Sequence, residues 1–350
     1  MKENYAAWEI KPLDNLDISK EQLCRHLISW AILAPSTHNA QPWRFRLNMR
    51  ENSIEICLDK TFVLPASDPT SRESLISLGC ALENLVMSAN SYGLGCRINF
   101  QNHSVKVWLT GLARLNCLDQ KILAAIKNRR VNRGKFDHAQ QIPNEIVQKF
   151  KDAASASGLT IDFVTDTASR FAIAELQYFA DRYVITKTNF RNELANYLLP
   201  NDTIRKRGMP GATFDLEDNP AKEIHELLKT SGPFDPDLAA GFAIASREST
   251  KSSPLLAVIS IPEDKSIWWI KAGQLFEKIA ILAVLENLAF AINAALIEVE
   301  IFNKMLKTQL GRKERPTILM RIGYPIHVFG HSPRVLADEI TNETSEGDDS

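Results

Sequence analysis

Gly79–Leu94 reads GCALENLVMSANSYGL, and Gly273–Leu288 reads GQLFEKIAILAVLENL. Laid over one another, Gly79 meets Gly273, Glu83 meets Glu277, Ala89 meets Ala283 and Leu94 meets Leu288, with the apolar positions in step. A glycine and a glutamate recurring at fixed places in two apolar, helix-length segments point to one structural unit used twice. A second pair follows in the same chain order: ISKEQLCRHLISWAIL (18–33) over IPNEIVQKFKDAASAS (142–157). The two offsets differ, so the second copy carries an insertion. The expectation is an α+β chain made of two similar halves, with antiparallel-rich sheets flanked by helices around a long central helix pair. The boundaries read as an N-terminal arm 1–13, a first half 14–115, a second half 116–335 with an insertion at about 190–253, and an acidic tail 336–350.

Working outward, Ser19-x-x-Gln22 is a capping box opening a helix that Pro35 ends. WRFRL and SIEICL read as paired strands, as do RINF and VKVWLTGL. Thr70-x-x-Glu73 is expected to cap the helix that contains Gly79. KILAAIKN (121–128) is a helix running into Arg129, Arg130 and Arg133. Helix 144–157 precedes strand TIDFV, and a helix-prone stretch occupies about 167–199. Pro, Gly and Asp then interrupt the periodicity through 200–253. Strand LLAVISI, a long apolar helix at 266–297 and strand TILMRIGYP close the core. From Asp338 onward the chain is acidic and aperiodic, the composition of a disordered tail.

Composition removes several function classes. Charges of 41 basic and 42 acidic residues leave a net of −1, too balanced for broad nucleic-acid binding. Five scattered cysteines without a C-x-x-C make neither a disulfide framework nor a zinc site. Ile279–Ile297 reaches spanning length but contains Glu286, Asn287 and Asn293, which argues for a helix buried in protein. The N-terminus shows no apolar signal region, so the expectation is a cytoplasmic chain without metal. Near misses to a zincin helix (His225-Glu226), a nucleophile elbow (Gly330-His-Ser332) and a dinucleotide fingerprint (Gly93-Leu-Gly95) each lack a required residue.

Two segments carry chemistry. Ala34-Pro-Ser-Thr-His-Asn-Ala-Gln-Pro-Trp43 is a proline-bounded loop that gathers Ser36, Thr37 and Asn39 at a helix end, where hydroxyls, an amide and free backbone N–H groups can meet a polar ligand. It can equally be a capping turn between helix and strand. Asn128-Arg129-Arg130-Val131-Asn132-Arg133-Gly134-Lys135 places three arginines at a helix end, suited to phosphate or to the helix dipole alone.

Together with the repeat, APSTHNAQPW, NRRVNRGK and the strand MRIGYP followed by SPR resemble the FMN-dependent nitroreductase family. The motifs are split between the halves, so one composite site can be assembled and its symmetry mate cannot. This resembles the Acg-like branch, in which one chain mimics the dimer, and it implies a nitroreductase-like fold duplicated in one chain. The resemblance implies that Arg129 and Arg133 face the FMN phosphate and the flavin pyrimidine edge, with Arg130 either joining them at the cofactor or facing solvent. Arg133 would stabilise the reduced flavin anion, Arg334 would be a C-terminal phosphate partner, and Pro35, Ser36, Thr37 and Asn39 would contact the flavin from the other half. Val131 departs from the family serine. The implied activity passes hydride from NAD(P)H through flavin N5 to an electron-poor small molecule, with no acid–base dyad supplied by the protein. The insertion would cover the flavin. A flavin-sequestering or redox-sensing protein with little turnover is the alternative. The implied assembly is a monomer or weak homodimer, without nucleic-acid or membrane partners.

Overall fold

A computed structural model describes residues 2–229 and 234–343. The first half runs α1 (Lys20–Ala31), β1 (Trp43–Asn48), β2 (Ser53–Leu58), α2 (Arg72–Ser91), β3 (Gly95–Phe100) and β4 (Ser104–Thr110). After α3 (Gln120–Asn128) come α4 (Asn144–Ser157) and β5 (Thr160–Val164). An excursion follows: α5 (Thr167–Ile185), α6 (Thr188–Tyr197), the two-residue strands β6 (Leu198–Leu199) and β7 (Met209–Pro210), α7 (Asp218–Leu228) and α8 (Pro236–Ser252). The chain then returns through β8 (Leu255–Ile261), α9 (Ser266–Leu285), β9 (Ala289–Ile292), α10 (Ala295–Glu298), α11 (Glu300–Gln309), β10 (Arg315–Gly323) and β11 (Thr341–Glu343).

The duplication is visible in the topology. One sheet has the order β11-β1-β2-β4-β3 and the other β5-β8-β10-β9. Matching α1-β1-β2-α2-β3-β4 to α4-β5-β8-α9-β9-β10 reproduces the order strand for strand, with every matched pair antiparallel. Helices α2 and α9 pack against each other between the sheets, and their contact is reciprocal. A β-carbon at Gly79 would lie 2.0 Å from the Ile270 carbonyl oxygen, and one at Gly273 would lie 2.0 Å from that of Ile76. Ile76 and Ile270 occupy the same place in the repeat, so the close approach of the two helices is reciprocal, related by a local pseudo-twofold. Only glycine allows the backbones this close.

Several local readings change. Helix α9 stops at Leu285, not at residue 297, because Asn287 takes a left-handed φ of 59° and Leu288 N–H bonds the Ala283 carbonyl. The first half ends α2 the same way, with Gly93 at φ 76° and Leu94 bonded to Ala89. Asn tolerates this conformation better than most side chains, so it serves as the C-terminal stop. Residues after Asn287 then pair as β9.

The cap of α2 is Asp68, not Thr70: its carboxylate accepts the Glu73 and Ser74 N–H groups at 3.0 and 2.8 Å. The Ser19–Gln22 capping box forms in both directions. Stretch 167–199 is two helices, and residues 236–252 of the supposedly aperiodic region are helical, opened by the Asp235 cap and Pro236. The chain added between the equivalents of β1 and β2 therefore spans 165–254, longer than 190–253. The described part of the acidic tail, 336–343, is structured. Ala337 and Ile340 are buried, and β11 adds to β1 in parallel. The rest of the tail lies outside the described residues. No helix among the described residues is long and apolar enough to cross a membrane, and no group of three or more His, Cys, Asp or Glu side chains among them could hold a metal ion.

Candidate functional site

Two adjoining hollows lie where the halves meet. The larger, about 250 Å³, is walled by Pro35–His38, by Ile76 and Cys80 of α2, by Val131 and Arg133, and by Phe276 and Ile292 from the second half. Leu194, Met209 and Phe214 of the excursion line it as well. The smaller, about 30 Å³, is polar, lined by Ser36, Asn39, Arg129, Arg130, Arg133 and Arg334 together with Trp8, Thr213 and His331. Pro35, Ser36, Val131 and Arg133 border both. The structure thus brings together seven of the eight expected residues at the small hollow or its rim; Thr37 faces the larger one alone.

The 34–43 loop is strained where it turns. His38, Asn39 and Gln41 have φ of 51°, 55° and 51°, a region costly for side-chain-bearing residues. Side-chain bonds hold the shape. Asn39 Nδ2 donates to the Gly208 and Pro333 carbonyls at 2.9 Å each, and its Oδ1 accepts Arg334 Nη1 at 2.6 Å. Gln41 Nε2 donates to the Lys206 carbonyl at 2.7 Å, and its Oε1 accepts Val335 N–H at 3.0 Å. Arg207 reaches the Ala40 carbonyl and lies over the Phe62 ring at 3.6 Å. Asn39 is therefore foremost a clamp joining the loop, the excursion and the C-terminal segment. The sequence offers this amide to a polar ligand; in the structure the buried Gly208 and Pro333 carbonyls take its donors.

The arginines play unequal parts. Arg129, almost wholly buried, donates to the Leu33 carbonyl and brings Nε within 2.9 Å of Glu277 Oε1. Arg334 donates to the Leu33 and Ala34 carbonyls at 3.2 and 3.1 Å, complementing the C-terminal end of α1. Burial lowers its pKa to about 9. Arg130 bonds the Phe329 carbonyl at 3.0 Å. Arg133 lies over Phe214 at 4.3 Å, donates to the Thr213 carbonyl at 3.3 Å, and pairs with no carboxylate among the described residues. Burial lowers its pKa to about 10.

Sequence reasoning passed over several members of this site. Glu277 is the buried counter-charge: burial pushes its carboxyl up to about 7, against the pull of Arg129 and Arg334. With the Asn84 amide turned to satisfy both neighbours, its nitrogen donates to Glu277 Oε1 at 3.0 Å and its oxygen accepts Ala34 N–H at 3.2 Å. Glu277 was flagged only as a repeat match, though a carboxylate in so apolar a helix was itself a signal. Arg321 bonds the Arg133, Gly134 and Ser249 carbonyls at 2.9–3.2 Å and fixes the path of the arginine segment. His331 stacks on Trp8 with centroids 3.8 Å apart. Burial, followed by Arg130, Arg334, Arg129 and Lys127, drives its pKa down to about 3.

Four cations thus surround His331. The buried Nε of Arg334 and Nδ1 of His331 find no hydrogen-bond partner among the described residues. A positive, under-satisfied cleft adjoining a mostly apolar cavity suits a ligand with a phosphate at one end and an aromatic ring system at the other.

The mate position across the pseudo-twofold differs. A hollow of about 270 Å³ there is lined by Lys271, Gln274 and Lys278, the repeat equivalents of Ser77, Cys80 and Asn84. Helix α4 passes through Gly158, at φ 73°, straight into β5, with no counterpart of the 34–43 loop.

No family model matches the chain. Among curated proteins, it is 33% identical over 85 residues to the Mycobacterium tuberculosis "Putative NAD(P)H nitroreductase Rv3131", covering 24% of each chain. It is 35% identical over 66 residues to the "Putative NAD(P)H nitroreductase acg" of the same organism, covering 19% of each. A third protein of that organism, "Uncharacterized protein Rv3127", is 20% identical over 319 residues, 86% of each chain. The chain spans about a quarter of the length of the first of these relatives. Among solved structures, the FMN-dependent nitroreductase NfnB of Mycobacterium smegmatis, in complex with NADPH, covers 65% of this chain and 99% of its own at a TM-score of 0.43 and 15% identity, too slight a likeness to build on. The resemblance to nitroreductases of the Acg kind is borne out by the sequence relatives.

Proposed function

From that kinship, we propose that the chain is an FMN-binding, NAD(P)H-dependent, nitroreductase-like oxidoreductase acting on electron-poor small molecules. The observation that carries this reading is the joined pair of hollows between the halves, apolar at one end and cationic at the other. Arg130, Arg334 and the Ser36 hydroxyl would hold the phosphate, with Arg129 supporting them from beneath. Pro35, Ser36 and Thr37 would border the rings. The flavin supplies hydride chemistry when bound. Arg133 lies at the junction without a carboxylate, so it would favour an anionic ring and raise its reduction potential. The mate hollow lacks both the loop and the arginines, so one flavin per chain is expected.

A specific observation favours restricted access as the second reading. Leu194, Met209 and Phe214 line the cavity, and Asn39, Gln41 and Ala40 pin segment 206–208 beside it. A protein that stores flavin or senses redox state would be built this way. Anaerobic mixing decides between them. If NADPH or NADH bleaches the bound flavin within seconds, the enzyme reading holds; if only dithionite does, storage holds. Purified protein that takes up no FMN refutes both.

A further inference from the structure

The mate hollow has no part in the proposed function, yet it is neither filled nor neutral. It lies between α4, α9 and Glu83 of α2 and measures about 270 Å³. Small-molecule sites begin near that size, at about 300 Å³. Lys271, Gln274 and Lys278 follow one another at intervals of three and four residues on α9, so they share one face of the helix. Along the axis the two lysines are about 10.5 Å apart. Leu275, with Ala153 and Ala156 of α4, supplies an apolar wall.

Both lysines are half-buried, and among the described residues neither ammonium forms an ion pair or a hydrogen bond. Lys149 of α4, by contrast, pairs with Glu286. Rings steady Lys271: its Nζ lies 4.7 Å from the centroid of Trp268 and 5.7 Å from that of Phe100. A single carboxyl lines the hollow, that of buried Glu83, and Gln274 Nε2 donates to its Oε2 at 3.2 Å. Glu83 is the repeat counterpart of Glu277, which supports the arginines of the other cleft. Two cations therefore face one carboxyl, and a partly buried ammonium without a partner favours an anion beside it.

We propose that this hollow binds a short organic dianion, a dicarboxylate, with one carboxylate at each lysine and its methylenes against Leu275, Ala153 and Ala156. An inorganic anion would leave that apolar wall uncovered, and a monocarboxylate would leave one ammonium unmatched. The inference stands whether or not the other cleft takes FMN.

Calorimetric titration of the full chain with glutarate tests it. At low ionic strength the heats should saturate at a single site per chain, and added salt should weaken the binding. Propionate should bind about ten-fold more weakly than glutarate, and Lys271→Gln and Lys278→Gln should each weaken glutarate about five-fold or more. Lys278→Arg, which keeps the charge, should stay within about two-fold of the wild type. Burial raises the Glu83 carboxyl to about 7, against Lys278 and Gln274, so it is largely ionised at about pH 8; Glu83→Gln should tighten glutarate there by removing the opposing charge. Arg130→Ala, at the other cleft, should leave glutarate binding unchanged. No saturable heat, equal affinities for glutarate and propionate, or an affinity that survives both lysine-to-glutamine changes would overturn the proposal. So would a loss of binding in Arg130→Ala, which would seat the dianion in the other cleft.

Discussion

Gly273→Ala tests the central packing directly. Alanine normally stabilises a helix interior by about 1 kcal/mol over glycine. Here the added methyl carbon would meet the Ile76 carbonyl oxygen at 2.0 Å, with Gly79 Cα at 3.0 Å. Those neighbours are backbone and have no rotamer to change, so α2 and α9 must part by about 1 Å. A gap of that size forfeits a quarter to a half of each dispersion contact along the seam, and overpacking of this kind costs about 1–3 kcal/mol, occasionally more. The clash should outweigh the propensity gain, leaving a net destabilisation of up to about 2 kcal/mol and a Tm lower by up to roughly 3 °C. Gly241→Ala on α8, where nothing lies within 4 Å of the added carbon, is the control and should raise Tm slightly. Because one separation relieves both clashes, Gly79→Ala and Gly273→Ala should be less than additive when combined. Thermal unfolding of the four variants checks this. A Gly273→Ala protein as stable as Gly241→Ala would refute the close-approach argument.

Other outcomes follow from the site. Arg130→Ala should weaken FMN binding about ten-fold or more and reduce its salt dependence, measured by fluorescence quenching at two ionic strengths; unchanged affinity would misplace the phosphate. Asn39→Ala removes the side-chain donor to the Gly208 carbonyl and one acceptor of Arg334, which keeps its bond to Pro333, at a cost of about 1–3 kcal/mol, and should raise hydrogen exchange at 206–210 before elsewhere. Glu83, whose pKa burial raises from 4.5 to about 7, binds a proton more tightly folded than unfolded. Its contribution to stability is therefore full below about pH 4.5 and is lost as pH rises through about 7. Glu83→Gln should flatten that fall in urea-unfolding midpoints; an unchanged slope would place the titration elsewhere.

The parts of this architecture that could be read beforehand were those written twice or locally. The Gly79/Gly273 and Glu83/Glu277 register held because a close helix crossing tolerates so few residues, and the Ser19–Gln22 box held because its partners are three residues apart. The end of α9 escaped notice because Asn287 does the work of Gly93 with a different side chain. The ordered tail was missed because acidic composition hid Ala337 and Ile340, whose burial depends on β1, about 300 residues away. At the site, residue types were legible but not their partners. That Asn39 would hold Gly208 and Pro333, or that Arg129 would face Glu277, depends on long-range contacts with no sequence spacing to betray them.

The pseudo-twofold has a consequence for how such a protein can change. In a dimer of identical subunits every substitution strikes both clefts at once, so neither can drift without the other. Two like halves within one polypeptide carry no such tie. Lys271, Gln274 and Lys278 could replace Ser77, Cys80 and Asn84 on one side while the opposite cleft kept its loop and arginines. The chain thus holds a second hollow, built on a like scaffold, that selection is free to shape for another purpose.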